Sequence, residues 1–259
     1  MTIRLSSCCV IRASWHNDEY KIIQEKTVID YVIDPPRTPS IAVADSDARF
    51  PLRRIFCVGR NYAAHAREMG KDPDREPPFF FTKPADAVVD DNAQIPYPPE
   101  TGNLHYEAEL VVAIGKGGVN ITEAEAFDHV WGYAIGNDLT RRDLQNSAKQ
   151  MGRPWDWGKA FDNSAICGPV HPVESVGHLL QGKIRLSVNG EIRQDADLNE
   201  MIWSIPEQIA ILSRSMQVKP GDLIYSGTPA GVGPLYPGDV CAIEIENLGR
   251  VTTTILEPG

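Results

Sequence analysis

The strongest constraint on the fold is a succession of short apolar runs, each about the length of a β-strand, that begins near Arg53 and continues towards the end of the chain. Glycine-containing turns closely follow several of these runs. Apolar runs of this length with turn residues beside them are typical of strands, whereas buried helices need longer segments. The sequence therefore predicts an α+β fold that is dominated by β-strands and has a few short helices. Representative runs are residues 55–58, 110–114, 183–188 and 242–246.

Turn and capping signals place some element boundaries. Asn189 and Gly190 lie between two apolar runs and predict a hairpin, because both residues tolerate the positive φ angles of a type I′ turn. A hydroxyl residue followed three positions later by glutamate is typical of a capping box and predicts the start of a helix. Two such pairs are Thr122 with Glu125 and Ser204 with Glu207.

The first 50 residues differ from the rest of the chain. They lack sustained periodicity and include a polar, proline-containing stretch at residues 34–40, which is typical of a linker. We therefore expect an N-terminal extension and linker over residues 1–50, either a short strand pair or a loosely ordered segment. Residues 51–259 form the predicted main domain, which contains the candidate site residues described below.

The chain is acidic, with a formal net charge of −10 at pH 7. This charge repels phosphate groups and anionic lipids, so nucleic acid and membrane partners are disfavoured, and an anionic substrate must be met by local positive charge or a metal. No apolar run approaches the roughly 20 residues of a membrane helix. The five cysteines include no CxxC pair, which favours a reducing, cytoplasmic location.

Two glutamates near the middle of the chain are candidate metal ligands. The period of two along a strand places His105, Glu107 and Glu109 on one face. Their carboxylates would repel one another unless solvent or a cation neutralises them. Mg²⁺ is the leading candidate, and Mn²⁺ or Ca²⁺ are alternatives, since all three prefer oxygen ligands. The competing interpretation is an exposed strand face with two solvated glutamates.

A third carboxylate, Asp138, ends the apolar segment that follows. Arg142 and Gln145 lie four and seven residues beyond it, a spacing that places side chains on one helical face near the metal. Thr140 and Asp143 have the spacing of a capping box, so Asp143 is predicted to be a structural cap. The alternative is an amphipathic surface turn.

His65 and Glu68 are candidates for activating water. They lie three positions apart in a predicted helix, residues 61–70, that Gly70 closes. At this spacing the carboxylate can fix one imidazole tautomer and leave the other ring nitrogen to accept a proton. Such pairs are also common on protein surfaces.

Lys159 lies among aromatic residues and glycine, which favours burial and hence a charged partner or a lowered pKa; a surface lysine is the alternative. The glycine-rich loop at residues 226–234 lacks the lysine of a phosphate-binding loop, so nucleotide binding is not expected. Its glycines could let Thr228 approach a ligand or could form a tight turn.

In their order along the chain, several motifs resemble those of the fumarylacetoacetate hydrolase superfamily, and within it the fumarylpyruvate hydrolase and acylpyruvase branch. The resemblance covers residues 53–256. Its motifs are residues 58–62 leading to His65 and Glu68, then 79–84, 107–109, 136–145, 158–162 and 226–233.

The resemblance implies a mixed β-sandwich roll, a homodimer, and a role for each candidate residue. Larger relatives have a further aspartate ligand where this chain has Val58, so three protein carboxylates are expected. The implied roles are metal ligands for Glu107, Glu109 and Asp138, a catalytic set of His65, Glu68 and Lys159, and substrate contacts for Arg142, Gln145 and Thr228.

The implied activity is metal-dependent cleavage of the carbon–carbon bond in an acylpyruvate. Fumarylpyruvate, which would give fumarate and pyruvate in gentisate-type aromatic catabolism, is the leading substrate. Alternatives on the same site are acetylpyruvate hydrolysis, oxaloacetate decarboxylation and keto–enol isomerisation. A non-catalytic, metal-binding oligomerisation module is the non-enzymatic alternative.

Overall fold

The computed structural model of the chain describes residues 2–5, 9–12, 23–24, 31–68 and 76–259. It divides the chain into two compact units, Met1–Arg37 and Thr38–Gly259. The smaller unit contains an antiparallel sheet of β1 (Thr2–Leu5), β2 (Cys9–Arg12) and β3 (Ile23–Gln24). The sequence predicts a boundary near residue 50, whereas the larger unit begins at Thr38 and includes the strand pair of residues 40–51.

The larger unit is built mainly of short strands, which confirms the predicted β-dominated α+β class. Its strands are β4 (Ser40–Val43), β5 (Ser46–Pro51), β6 (Arg54–Gly59), β7 (Phe79–Lys83), β8 (Val88–Val89), β9 (Ala93–Pro96), β10 (Leu104–Tyr106), β11 (Ala108–Ile114), β12 (Val130–Asp138), β13 (Thr140–Arg141), β14 (Ala165–Cys167), β15 (His171–Pro172), β16 (Lys183–Val188), β17 (Glu191–Asp197), β18 (Asp222–Tyr225), β19 (Gly233–Leu235), β20 (Val240–Ile245) and β21 (Gly249–Leu256).

The helices of this unit are short. They are α1 (Ala63–Glu68), α2 (Arg142–Gln150), α3 (Asp156–Lys159), α4 (Val173–Val176) and α5 (Ile205–Ser215), with 3₁₀ turns at Ala85–Ala87, Ala126–His129 and Leu198–Glu200. Within the described residues, no helix is both long enough and apolar enough to span a bilayer.

Two mixed sheets form most of the larger unit. The first has the strand order β7-β6-β18-β11-β12-β14-β8, with β6 parallel to β18 and β8 parallel to β14. The second has the order β17-β16-β20-β21-β9, with β9 parallel to β21. A third, small sheet has the strand order β13-β10-β19. Along the chain, its strand β10 is followed directly by β11 of the first sheet.

Strand β11 is buried on both faces. Leu110 and Val112 belong to an apolar cluster that includes residues of the second sheet, whereas Val111 and Ala113 belong to another cluster that includes residues of β4 and β5. All four side chains are 0% exposed. Burial on both faces explains why this segment is a continuous apolar run instead of an alternating one.

The predicted hairpin is confirmed. Asn189 and Gly190 have φ angles of 52° and 84°, and Val188 pairs with Glu191 across the turn. The asparagine–glycine pair therefore fixes the register of β16 and β17 at the turn, as a type I′ turn requires.

The two predicted capping boxes differ in outcome. Ser204 and Glu207 form a reciprocal capping box that opens α5, so this prediction is confirmed. The Thr122 hydroxyl donates to Glu125 at 2.7 Å, but the chain that follows forms only the 3₁₀ turn Ala126–His129. The local signal is present there, and the segment is too short to continue as an α-helix.

Asp222 fixes the parallel pairing of β18 with β6. Its fully buried carboxylate lies 3.1 Å from Arg53 and 3.0 Å from Arg54, and it also accepts a hydrogen bond from the Lys219 amide at 2.8 Å. We expect Asp222→Asn to lower the free energy of unfolding by about 2 kcal/mol, because hydrogen bonds to a charged group are lost. Chemical denaturation measures this change.

Asp195 provides the matched control. It lies 3.1 Å from Arg185, but both side chains are at least 40% exposed. We expect Asp195→Asn to change the free energy of unfolding by less than about 0.5 kcal/mol. An equal loss in the two variants would contradict a special role for the buried carboxylate.

Candidate functional site

Antiparallel strands bring the three predicted carboxylates together. Glu107 lies between β10 and β11, Glu109 lies in β11, and Asp138 is the last residue of β12. The register pairs Ala108 with Asn137, and the Asp138 amide donates to the Glu107 carbonyl at 2.9 Å. The sheet thus places residues about thirty positions apart on adjacent backbone segments.

The carboxylates form a buried group that could hold a cation. Glu107, Glu109 and Asp138 are 5%, 2% and 0% exposed, which excludes the interpretation as solvated glutamates. Each offers an oxygen, and these atoms all lie within 4.8 Å of one another. Three hard oxygen donors suit a divalent ion such as Mg²⁺, Mn²⁺ or Ca²⁺. Val58 lines the same pocket with a side chain that has no ligand atom.

Two of the carboxylates already pair with buried cations. The Lys159 ammonium lies 2.7 Å from Glu107 and 2.7 Å from Asp138. Lys83 lies 2.8 Å from the other oxygen of Asp138, and Arg142 pairs with Glu107. Burial opposes ionisation, but Lys159 and Arg142 outweigh it and hold the pKa of Glu107 well below its usual range.

Glu109 is different, because it has no ion-pair partner in the part of the chain that the structure describes. Its carboxylate accepts one hydrogen bond, from the Gly227 amide at 2.8 Å. Burial, Asp138 and Glu107 together raise the pKa of Glu109 well above its usual range. A divalent cation would relieve this repulsion, so the donor set fits such an ion chemically and electrostatically.

Lys159 is fully buried between acidic groups. Burial would lower its pKa, but Asp138 and Glu107 outweigh that effect and raise the pKa of Lys159. The sequence left three alternatives for Lys159. The predicted charged partner is present, whereas the predictions of a lowered pKa and of a surface lysine are wrong. Lys159 can supply positive charge, but it is a poor proton acceptor.

His65 and Glu68 form a hydrogen-bonded pair on α1. His65 is 5% exposed, and its Nδ1 lies 3.1 Å from Glu68, so Nδ1 donates to the carboxylate and Nε2 can accept a proton. The Gly231 amide also donates to Glu68, at 3.2 Å. Burial would raise the pKa of Glu68, but these hydrogen bonds lower it. The predicted end of the helix at Gly70 lies outside the described residues.

One pocket unites most of the residues that the sequence singled out. Glu68 and Asp138 do not line this pocket themselves, but they contact His65 and Lys159, which do. The volume of this pocket is about 30 Å³, room for one or two water molecules. The predicted residues that line it are His65, Glu107, Glu109, Arg142, Gln145, Lys159 and Thr228.

The residues at the start of α2 correct one prediction. Thr140 lies in β13, and its hydroxyl donates to the Asp138 carbonyl at 3.0 Å, so it does not cap the helix. Asp143 instead accepts from the Thr101 hydroxyl at 2.6 Å and the Gly102 amide at 3.0 Å. Asp143 therefore has the predicted structural role, but it anchors the loop at Thr101 and does not form a capping box with Thr140.

The candidate substrate contacts are held by neighbouring side chains. Arg142 donates to the Gln145 side chain at 2.7 Å, as their spacing on one helical face predicts. The Thr228 hydroxyl accepts from Gln194 at 2.9 Å. These contacts fix the polar groups before any ligand binds.

A family model for the C-terminal domain of fumarylacetoacetate hydrolase matches residues 54–256. The chain belongs to the fumarylacetoacetate hydrolase family. The predicted superfamily and its hydrolase class are therefore confirmed.

Relatives and solved structures agree with this membership. The fumarylpyruvate hydrolase of a Ralstonia species is 43% identical over 189 residues, which are 72% of this chain and 98% of the relative. The oxaloacetate tautomerase of Escherichia coli is 38% identical over 208 residues, 80% of this chain and 94% of the relative. A crystal structure of fumarylpyruvate hydrolase from Pseudomonas aeruginosa, in complex with Mn²⁺ and pyruvate, is 51% identical with a TM-score of 0.87 and covers 88% of this chain and 100% of that chain. The similarity of fold confirms the predicted β-sandwich roll.

In this fumarylacetoacetate hydrolase family member, the sequence assigned no role to several residues of the site. Lys83, which pairs with Asp138, is buried at the end of β7, and the sequence marked it only as part of the motif at residues 79–84. Arg60 and Lys149 line the pocket beside Phe81 and Trp155. These four residues come from four separate segments, so their spacing along the chain shows no pattern.

Proposed function

We propose that this family member hydrolyses the carbon–carbon bond of an acylpyruvate, with fumarylpyruvate as its leading substrate. The supporting observation is that one pocket is lined by two of the three clustered carboxylates, Glu107 and Glu109, and by the buried His65, whose Nδ1 pairs with Glu68. The similarity to the fumarylpyruvate hydrolases of Ralstonia and Pseudomonas aeruginosa supports this substrate. A homodimer and a cytoplasmic location remain predictions.

Glu107, Glu109 and Asp138 would hold Mg²⁺. When bound, the ion would supply positive charge that stabilises negative charge on a 2-oxo oxygen of the substrate. The Mn²⁺ and pyruvate in the Pseudomonas aeruginosa structure support a divalent ion and a 2-oxo acid as ligands of this type of site.

His65 activates water in this proposal. Glu68 holds the ring so that Nε2 accepts a proton while the water oxygen attacks the acyl carbonyl carbon distal to the pyruvyl carboxylate. The carbon–carbon bond between that carbon and the pyruvyl methylene then breaks. Its electron pair remains on the pyruvyl fragment as an enolate, and a proton returned to the methylene carbon gives pyruvate. Water and fumarylpyruvate thus yield fumarate and pyruvate.

Lys159 and Arg142 stabilise the charge that develops. Both are buried cations that pair with Glu107. Fixed positive groups in a buried site stabilise an enolate oxygen more strongly than solvated groups do. Neither group needs to lose a proton during the reaction.

The test is a turnover assay of purified protein with Mg²⁺ and fumarylpyruvate, acetylpyruvate or oxaloacetate. We expect loss of the enol absorbance of fumarylpyruvate together with equimolar fumarate and pyruvate. A chelator should abolish the activity, and Mg²⁺ or Mn²⁺ should restore it. Absence of turnover with every acylpyruvate would overturn the proposed hydrolysis.

Keto–enol tautomerisation of oxaloacetate is a second candidate, because the oxaloacetate tautomerase of Escherichia coli covers 80% of this chain at 38% identity. This reaction moves a proton without breaking a carbon–carbon bond. Faster interconversion of oxaloacetate without release of pyruvate from any acylpyruvate would favour this candidate over hydrolysis.

A further inference from the structure

Two cations at the rim of the pocket have no part in the proposed steps. Arg60 and Lys149 both line the pocket that contains His65 and the carboxylates, and both are half-buried. Neither is ion-paired to a carboxylate of the described residues, in contrast to Lys159 and Arg142. Half-buried cations that face a pocket without an anionic partner favour an anionic ligand.

Aromatic rings hold these cations in place. The Arg60 guanidinium lies 5.4 Å from the ring centroid of Phe79, and the Lys149 ammonium lies 5.0 Å from that of Trp155. The two rings contact each other edge to face, with centroids 4.9 Å apart. Phe79 lies against Gly59, where a Cβ atom would come within 2.1 Å of the ring. The ring pair therefore positions both cations along one side of the pocket.

The two cations are close enough to repel each other. Burial, then Arg142 and then Arg60 lower the pKa of Lys149 to about 8. Glu107 acts in the opposite direction but does not offset these effects. A carboxylate bound between Arg60 and Lys149 would remove this repulsion.

We propose that Arg60 and Lys149 bind the distal carboxylate of a dicarboxylic acylpyruvate and so select doubly charged substrates over those with an uncharged acyl end. This assignment rests on the proposed function, because it requires the pyruvyl end to lie at the carboxylate group. Fumarylpyruvate has such a second carboxylate, and acetylpyruvate has a methyl group in its place.

A neighbouring groove offers a competing position for the distal carboxylate. This groove has a volume of about 400 Å³, shares Phe81, Trp155 and Lys159 with the pocket, and contains Arg153. Arg153 is exposed, and Asp156 in the same groove offsets its charge. Arg153 is therefore the matched control, since its replacement removes the same charge nearby.

The first test compares kcat/KM for fumarylpyruvate and acetylpyruvate in Arg60→Gln, Lys149→Gln and Arg153→Gln. We expect the first two variants to lose about 10- to 100-fold with fumarylpyruvate, the range for a hydrogen bond to a charged group, and less than about 3-fold with acetylpyruvate. Lys149→Arg should recover most of the loss. Equal losses with both substrates, or an equal loss of selectivity in Arg153→Gln, would overturn the assignment.

A binding measurement separates this assignment from the proposed hydrolysis. Calorimetry on the metal-loaded protein measures dissociation constants for fumarate, and for crotonate, in which a methyl group replaces one carboxylate. We expect Arg60→Gln and Lys149→Gln to weaken fumarate binding by about 10-fold or more. Binding of oxalate, which stands in for the pyruvyl end of the substrate, should remain unchanged. If the protein binds fumarate more tightly than crotonate but turns over no acylpyruvate, the proposed hydrolysis alone is contradicted. Unchanged fumarate binding in both variants would overturn the subsite.

Discussion

Replacement of His65 by alanine is expected to lower kcat for acylpyruvate hydrolysis by about 10²- to 10⁴-fold, the usual contribution of a general base. The stabilisation of the protein by Mg²⁺ should remain, because His65 pairs with Glu68 and is not one of the three carboxylates that would hold the ion. Steady-state kinetics and thermal unfolding with and without Mg²⁺ measure the two effects. Loss of both would mean that His65 supports the metal site.

Two further variants serve as controls for this prediction. Glu68→Gln retains an acceptor for the Gly231 amide but removes the carboxylate that orients the ring, so a smaller loss of kcat is expected. His178, which is exposed and bonded to the Tyr133 hydroxyl, lies outside the pocket lining. His178→Ala should retain kcat within about 2-fold, as expected of a surface change.

Glu109→Gln and Asp138→Asn are expected to abolish metal-dependent stabilisation and activity but to shift the stability of the metal-free protein in opposite directions. Asp138 neutralises the buried Lys83 and Lys159, so its loss should lower the free energy of unfolding by about 3–5 kcal/mol. Glu109 repels its neighbours, and glutamine can still accept from the Gly227 amide. The metal-free Glu109→Gln protein should therefore be as stable as the parent or up to about 1 kcal/mol more stable.

Denaturant titration in a chelator measures the stability of the metal-free variants. The shift of the unfolding midpoint on adding Mg²⁺ measures the metal-dependent stabilisation. A saturating ligand at one hundred times its dissociation constant stabilises a folded protein by about 2.7 kcal/mol, so loss of this increment is readily detected. Similar destabilisation of both metal-free variants would show that the charge of Glu109 is already compensated. Retained Mg²⁺ stabilisation in either variant would remove that residue from the ligand set.

Local physics made part of the fold and site predictable. The hairpin at Asn189 and Gly190 depends on backbone angles that few residue pairs tolerate, so two residues determine it. The shared orientation of Glu107 and Glu109 follows from the alternation of side chains along an extended chain. Asp138 was identified because it ends an apolar segment, and the sheet register places it beside Glu107.

Long-range pairing made the rest unpredictable. The contact between Lys83 and Asp138 depends on how the chain folds between them, and neither residue type specifies it. The raised pKa of Lys159 similarly depends on two carboxylates that approach from other segments. The capping prediction for Thr140 and Asp143 was wrong because Asp143 bonds to the distant loop at Thr101, and a spacing rule cannot detect such competition.

The burial of β11 on both faces has a consequence for motion at the site. Local opening of this strand would expose two apolar clusters at once, so its amide protons should exchange with solvent only through global unfolding. Glu109 is carried by that strand, whereas Lys159 and Trp155 lie on or beside the short helix α3. We therefore expect any rearrangement that admits a substrate to occur in the cationic and aromatic wall, while β11, which carries Glu109, stays fixed.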